Sequence, residues 1–259
     1  MSEGVYAVAI MAKASVAGTV KTRLVPPLTY EEAAELNTCC LTDVAANIVA
    51  AAARVPIQGF AAYHPPGSER FFYDLLPVGF KLLPPKEATI GRSLFHAAQD
   101  LFAAGNRSVC LVNADSPTLP TEVLVEAVRL LREPGDRVVL GPAADGGYYL
   151  IGLKRFHRRL FEEIDWSTER VYRQTLVRAG EIGVPVASLP EWYDVDDDET
   201  LEVLAREIRL GPAAPSPYRG GFPAPSTTAF LEQLAAKNSG IERLFDRESP
   251  LRSPPQLAG

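Results

Sequence analysis

The chain has 259 residues, 47% of them hydrophobic, with 26 basic against 32 acidic side chains and a formal net charge of -6. That length and apolar content suffice for one full-sized α/β core, and an acidic balance without a basic stripe argues against a nucleic-acid partner. No apolar run approaches the roughly 18–20 residues of a membrane span, and the acidic start lacks the basic segment of a signal peptide.

In chain order, residues 5–11 form an apolar, β-prone run and read as a first, central strand. A loop over 12–24 follows, and Thr29 and Glu32 make a T-x-x-E capping box for a long helix with Ala33, Leu36, Cys40, Val44 and Ile48 as its buried stripe. A second strand is expected at 57–63, a short helix at 69–76, a third strand at 80–83 ended by Pro84 and Pro85, and a helix at 91–104. Residues 109–113 are mostly apolar without alternation, as in a strand buried on both faces of a parallel sheet. Beyond them the spacing predicts a helix over 122–131, strands at 138–140 and 148–153, and a basic amphipathic helix over 155–164. A helix running to Ala179, a strand at 184–189, and a helix opened by the acids at 196–199 complete the pattern.

Strand and helix alternate throughout, which predicts an α/β fold with a mainly parallel sheet. Five prolines and three glycines within 211–225 place the end of the domain near 210, so 1–210 reads as the main domain. Residues 211–259 read as a Pro-rich linker, a short helix at 228–236 and a flexible tail. Cys39, Cys40 and Cys110 show no C-x-x-C spacing, which suits a reduced, cytoplasmic protein. His64, His96 and His157 are scattered, so zinc is not expected. Oligomeric state is left open, a homodimer being one option.

Three stretches could carry chemistry. Asp115 follows the buried strand, at the sheet edge where open α/β folds bind ligands, and reads either as a metal ligand or as a turn cap. Asp194 and Asp196 follow the last strand, and two carboxylates from separate strands suit Mg²⁺ or Mn²⁺ with open positions for phosphate oxygens. The same acids also suit a helix start. After the first strand, Gly18 with Lys21, Thr22 and Arg23 could wrap a phosphate or lie solvated; neither a Walker A loop nor G-x-G-x-x-G is present. Asp145–Gly146–Gly147–Tyr148 reads as a tight hairpin turn or as an acceptor site in which Asp145 orients a hydroxyl or acts as a base. Trp166, Ser167 and Thr168 offer a similar choice: acceptor contacts, or Thr168 or Ser167 capping the following helix with Trp166 packed beneath it.

Taken in order, AKASVAGTVKTRL, NADSPTLP, LGPAADGGYYLIGL, DWST and YDVDDDETL resemble the DUF2064 family of glycosyltransferase A-fold proteins, over roughly residues 5–210. The pattern is similar also to phospholactate guanylyltransferases. The resemblance implies a three-layer nucleotide-diphospho-sugar transferase fold, Rossmann-like, with a donor nucleotide over the first strand. It places Lys13, Gly18, Lys21 and Arg23 at the nucleotide phosphates and Asp115, with Asp194 or Asp196, at a divalent metal. Gly146, Gly147 and Tyr148 fall with Asp145 on the acceptor side. Two transferase readings result: glycosyl transfer from a nucleotide sugar to a small acceptor, with Asp115, Asp145 and Lys21 catalytic, or nucleotidyl transfer releasing pyrophosphate from a triphosphate. Ser15, where the family has proline, and Asn113–Ala114 before Asp115 depart from the pattern and sustain a third reading, nucleotide binding without turnover.

Overall fold

The computed structural model describes residues 5–86, 89–211, 220–237 and 241. Its elements run β1 (Tyr6–Lys13), α1 (Tyr30–Ala52), β2 (Ile57–His64), α2 (Glu69–Leu75), β3 (Lys81–Leu83), α3 (Ile90–Ala103), β4 (Ser108–Val112), α4 (Thr121–Arg132), β5 (Val138–Pro142), β6 (Tyr148–Leu153), α5 (Val171–Glu181), β7 (Val186–Ser188), α6 (Asp198–Leu210) and α7 (Pro225–Ala235). One seven-stranded sheet has the order β3-β2-β1-β4-β6-β5-β7. All pairings are parallel except those of β6, which runs against both β4 and β5. The α/β class and the mainly parallel sheet are thus as the alternation of elements predicts.

The pleat divides the core. Tyr6, Val8 and Ile10 of β1 enter one apolar cluster with α1 and α4, while Ala7 and Ala9 enter the cluster beneath α3 on the other face. β4 is buried along its whole length, as its unalternating sequence requires. α1 carries the expected box: the Glu32 amide donates to the Thr29 hydroxyl and the Thr29 amide to the Glu32 carboxylate.

Two expectations are corrected, and the helix after 210 is placed. No α-helix spans 155–164; the chain makes a single 3₁₀ turn at Arg158–Phe161. Phe156 and Phe161 turn inward onto Phe95, at ring distances of 5.2 and 6.0 Å, and a left-handed Glu163 breaks any continuation, so aromatic packing overrides the basic amphipathic pattern. The cap of α6 is Asp197, boxed with Thr200, rather than an Asp196–Glu199 pair. The helix placed outside the 1–210 unit packs on α1 and buries Phe230, Leu231 and Leu234 in the main core. Its first amides, from Ser226 and Thr227, donate to the buried Asp43 carboxylate at 3.0 and 2.7 Å. The linker at 212–219 and the tail from 242 onward lie outside the described residues.

Beneath α6 the Glu207 carboxylate accepts from the Tyr193 and Thr118 hydroxyls. Burial pushes this carboxyl up to about 7 from 4.5, against the pull of those two hydrogen bonds. The folded state therefore holds the proton more tightly than the unfolded chain. This contribution to stability is complete below the unfolded value and is lost as pH rises through the folded one. Glu207→Gln should remove that loss: relative to the parent, the variant should gain on the order of 2 kcal/mol between about pH 5 and about pH 8. Urea unfolding at the two pH values checks it, and an unchanged difference would rule the assignment out.

Candidate active site

The C-terminal edges of β1, β4 and β7 meet around one ammonium group. β1 delivers a loop whose start is pinned: the Ala14 amide donates to the His64 carbonyl, and Asn37 of α1 donates to the Ser15 hydroxyl at 2.8 Å. Lys21 then takes a left-handed conformation (φ 46°) that turns its side chain inward. Its Nζ donates to Asp115 Oδ1 at 2.6 Å and to the Val195 carbonyl at 2.7 Å, and its side chain is 2% exposed. The Val195 amide donates to the Asp115 carbonyl at 2.8 Å, and the Ser116 hydroxyl to the Tyr193 carbonyl at 2.9 Å, so the two acidic loops are bound by backbone as well. Burial opposes the charge on Lys21, but Asp115 and, less strongly, Asp196 hold it protonated above the ordinary lysine value.

Beside this strut lies a cleft of about 450 Å³. Asp115, Asp145, Asp194 and Asp196 line it together with Arg23, Tyr148, Trp166 and Ser167. Burial first, then repulsion from Asp145, Asp196 and Asp115, pushes the Asp194 carboxyl up to about 8. Burial and Asp115 push Asp196 up to about 6, with Lys21 pulling the other way. Negative charge is thus in excess here: Lys21 is engaged by Asp115, and Arg23, 70% exposed, pairs with Asp197 at 3.0 Å.

Residues 143–147 are at once a hairpin turn between β5 and β6 and a wall of the cleft. The Gly147 amide donates to Asp145 Oδ1 at 2.8 Å, which fixes the carboxylate at the turn. Because β6 is antiparallel, this turn comes to the same sheet edge as Asp115. Gly146, at φ 89°, packs its backbone on the following loop; a Cβ there would stand 2.3 Å from the Glu169 carbonyl. Trp166 reaches across to α3, where a Cβ at Gly91 would stand 2.1 Å from its Nε1, and meets Tyr148 edge to face at 6.4 Å. Thr168, not Ser167, supports the start of α5, its hydroxyl accepting from the Arg170 amide at 3.3 Å.

The expected site residues therefore divide. Asp115, Asp145, Asp194, Asp196, Arg23, Gly147, Tyr148, Trp166 and Ser167 share the cleft. Lys21 stands behind it, and Gly146 serves the packing of two loops. Gly18 sits at an exposed turn, and Lys13 donates to the Thr19 carbonyl at 2.7 Å and lines a neighbouring cavity. Gly91 has one visible signal in the sequence, a glycine in the first turn of a helix. Among the described residues no three His, Cys, Asp or Glu side chains converge on a preformed metal centre, and no described helix is long and apolar enough to cross a membrane.

A twisted, mainly parallel sheet with an acid-lined cleft over β1, β4 and β6 defines the nucleotide-diphospho-sugar transferase class of α/β fold. Within that class, residues 47–168 match the family described as "Uncharacterized protein conserved in bacteria (DUF2064)", in line with the ordered motifs. A proposed nucleotide-diphospho-sugar transferase from Desulfovibrio desulfuricans G20 is similar in structure, with a TM-score of 0.77 and 28% identity over 94% of this chain and 99% of that one. A CMP:2-keto-3-deoxy-manno-octonic acid synthetase solved with CTP shares the fold at TM-score 0.51 and 11% identity, over 77% of this chain and 96% of that one. No curated protein matches the sequence.

Proposed function

We propose that the protein transfers a glycosyl group from a nucleoside-diphosphate sugar to a small hydroxyl acceptor, with Mg²⁺ or Mn²⁺ at the cleft. One observation carries this reading: four carboxylates and an aromatic wall share a cleft whose one lining cation among the described residues is Arg23. Carboxylates accept hydrogen bonds from sugar hydroxyls, and the faces of Tyr148 and Trp166 suit sugar C–H surface. A phosphate acceptor, such as a guanylyltransferase-like transfer would use, would meet repulsion there. The basic loop after Gly18 carries cations that a triphosphate would need, but Lys21 is consumed by its bridge to Asp115.

The donor set fits a divalent ion: the oxygens are hard, and burial together with mutual repulsion raises Asp194 and Asp196, a cost that a dication would relieve. Asp194, Asp196 and the Asp115 oxygen not engaged by Lys21 would hold it. When bound, such an ion supplies charge neutralisation to the departing diphosphate. Lys21 keeps Asp115 in place, Arg23 faces the leaving phosphates, and Asp145 takes the proton of the acceptor hydroxyl as that oxygen attacks. A cytoplasmic setting is supported by three free thiols.

The test is direct. With Mn²⁺, an acceptor panel and sugar nucleotides, the expected product is free nucleoside diphosphate, formed only when an acceptor is present. Pyrophosphate released from a triphosphate would establish the nucleotidyl reading instead, and turnover of neither would leave a binding protein.

A further inference from the structure

Beyond α6 the chain returns to the loops that carry the cleft acids. The Phe222 amide donates to the Thr118 carbonyl at 2.9 Å. Gly221 packs so closely there that a Cβ would stand 2.2 Å from Glu207 Oε1 and 2.9 Å from that carbonyl oxygen. The amides of Ser226 and Thr227 then end on Asp43 of α1. One turn along α1, Asn47 donates to the Leu119 carbonyl at 2.6 Å and accepts from the Thr121 hydroxyl at 2.6 Å. The same face of α1 therefore anchors residues 220–227 and the segment that follows Asp115.

Glu207 sits where these segments meet. Thr118 comes three residues after Asp115, and Tyr193 immediately precedes Asp194. A single carboxylate oxygen, Oε2, accepts from both hydroxyls, which stand 3.1 Å apart. Thr118 and Tyr193 are each 2% exposed and Glu207 8%, so water has little access to take either bond over. None of these three residues, nor Gly221, lines the cleft. The carboxylate thus stays outside the cleft, yet it fixes the spacing of two loops whose acids line it.

We propose that Glu207 is a positioning residue for the acid cleft, and that residues 220–227 form a strap that keeps it in place. The chain beyond 210 is then needed for the geometry of the site. Any side chain at Gly221 must either turn the carboxylate off its hydroxyls or lift the strap off the Thr118 carbonyl. Either response removes a contact that holds the Asp115 loop. The metal part of the test rests on the reading above; the loop part does not.

Two measurements on the whole chain test it, hydrogen exchange of the backbone amides and calorimetric titration with Mn²⁺. In Glu207→Leu and Gly221→Ala, residues 113–119 and 192–197 should exchange about 10-fold or more faster, relative to the β1 amides of the same chain. Mn²⁺ affinity should fall about 10-fold or more in both. Glu207→Gln, whose amide oxygen can accept from both hydroxyls, should match the parent on both counts. Val128→Ala, a cavity elsewhere in the core, should lose stability but keep the parent's Mn²⁺ affinity. Should Glu207→Leu not fold, Gly221→Ala carries the same test. Unchanged loop exchange, Mn²⁺ affinity that survives both variants, or an equal loss in Val128→Ala would overturn the positioning role. A parent that binds no Mn²⁺ would overturn the metal reading instead, and faster loop exchange would then still establish the strap's hold.

Discussion

Asp115→Ala is expected to destabilise the protein by about 3 kcal/mol and to abolish transfer, because it strands the Lys21 ammonium in the interior. Lys21 is 2% exposed and has two partners, the Asp115 carboxylate and the Val195 carbonyl. Removing the first leaves a desolvated cation on one neutral acceptor. Asp115 is 32% exposed, so part of the bridge is wet and the cost falls at the lower end for a buried pair. Against a total stability of roughly 5–15 kcal/mol the effect is large. Lys21→Met in the same chain should recover part of the loss, since the stranded charge is then gone; the double-mutant cycle should show coupling of about 1–3 kcal/mol by urea unfolding. Additive single effects would mean that the bridge is not a stabilising unit. Activity should stay absent in the double variant, which separates the strut from the chemistry.

Asp145→Asn should lower the turnover number by about 10²–10⁴-fold while leaving stability and nucleotide affinity near those of the parent. The asparagine retains an oxygen for the Gly147 amide, so the hairpin turn keeps its hydrogen bond. What it loses is the capacity to accept the acceptor's proton. Steady-state kinetics with the acceptor varied would show the loss in the turnover number rather than in the Michaelis constant. A turnover number within about fivefold of the parent's would remove Asp145 from the chemistry and leave it as a turn residue.

The two predictions differ in how far they were legible beforehand. Asp145 is visible as an acid in a D-G-G turn. That the turn closes against Asp115 follows from β6 running antiparallel between β4 and β5, a pairing that no local pattern in 148–153 encodes. The helix expected over 155–164 fails for a related reason. Its charges have helical spacing, but Phe156 and Phe161 are buried only when the chain turns toward Phe95 of another element. Gly91 shows only as a glycine in the first turn of a helix, and the Trp166 ring that needs its missing side chain belongs to a distant segment.

By itself the sequence determined what depends on neighbours a few residues away. The burial of β4 follows from an unbroken apolar run, the start of α1 from Thr29 and Glu32, and the acids at strand ends from the punctuation around them. Tertiary structure alone decided what depends on distant partners. Lys21 read as a cation free to meet phosphate, yet its partners stand 94 and 174 residues further along the chain. Whether an ammonium faces water or the interior turns on the balance between desolvation and an ion pair, and that pair exists only once the β1, β4 and β7 loops have come together.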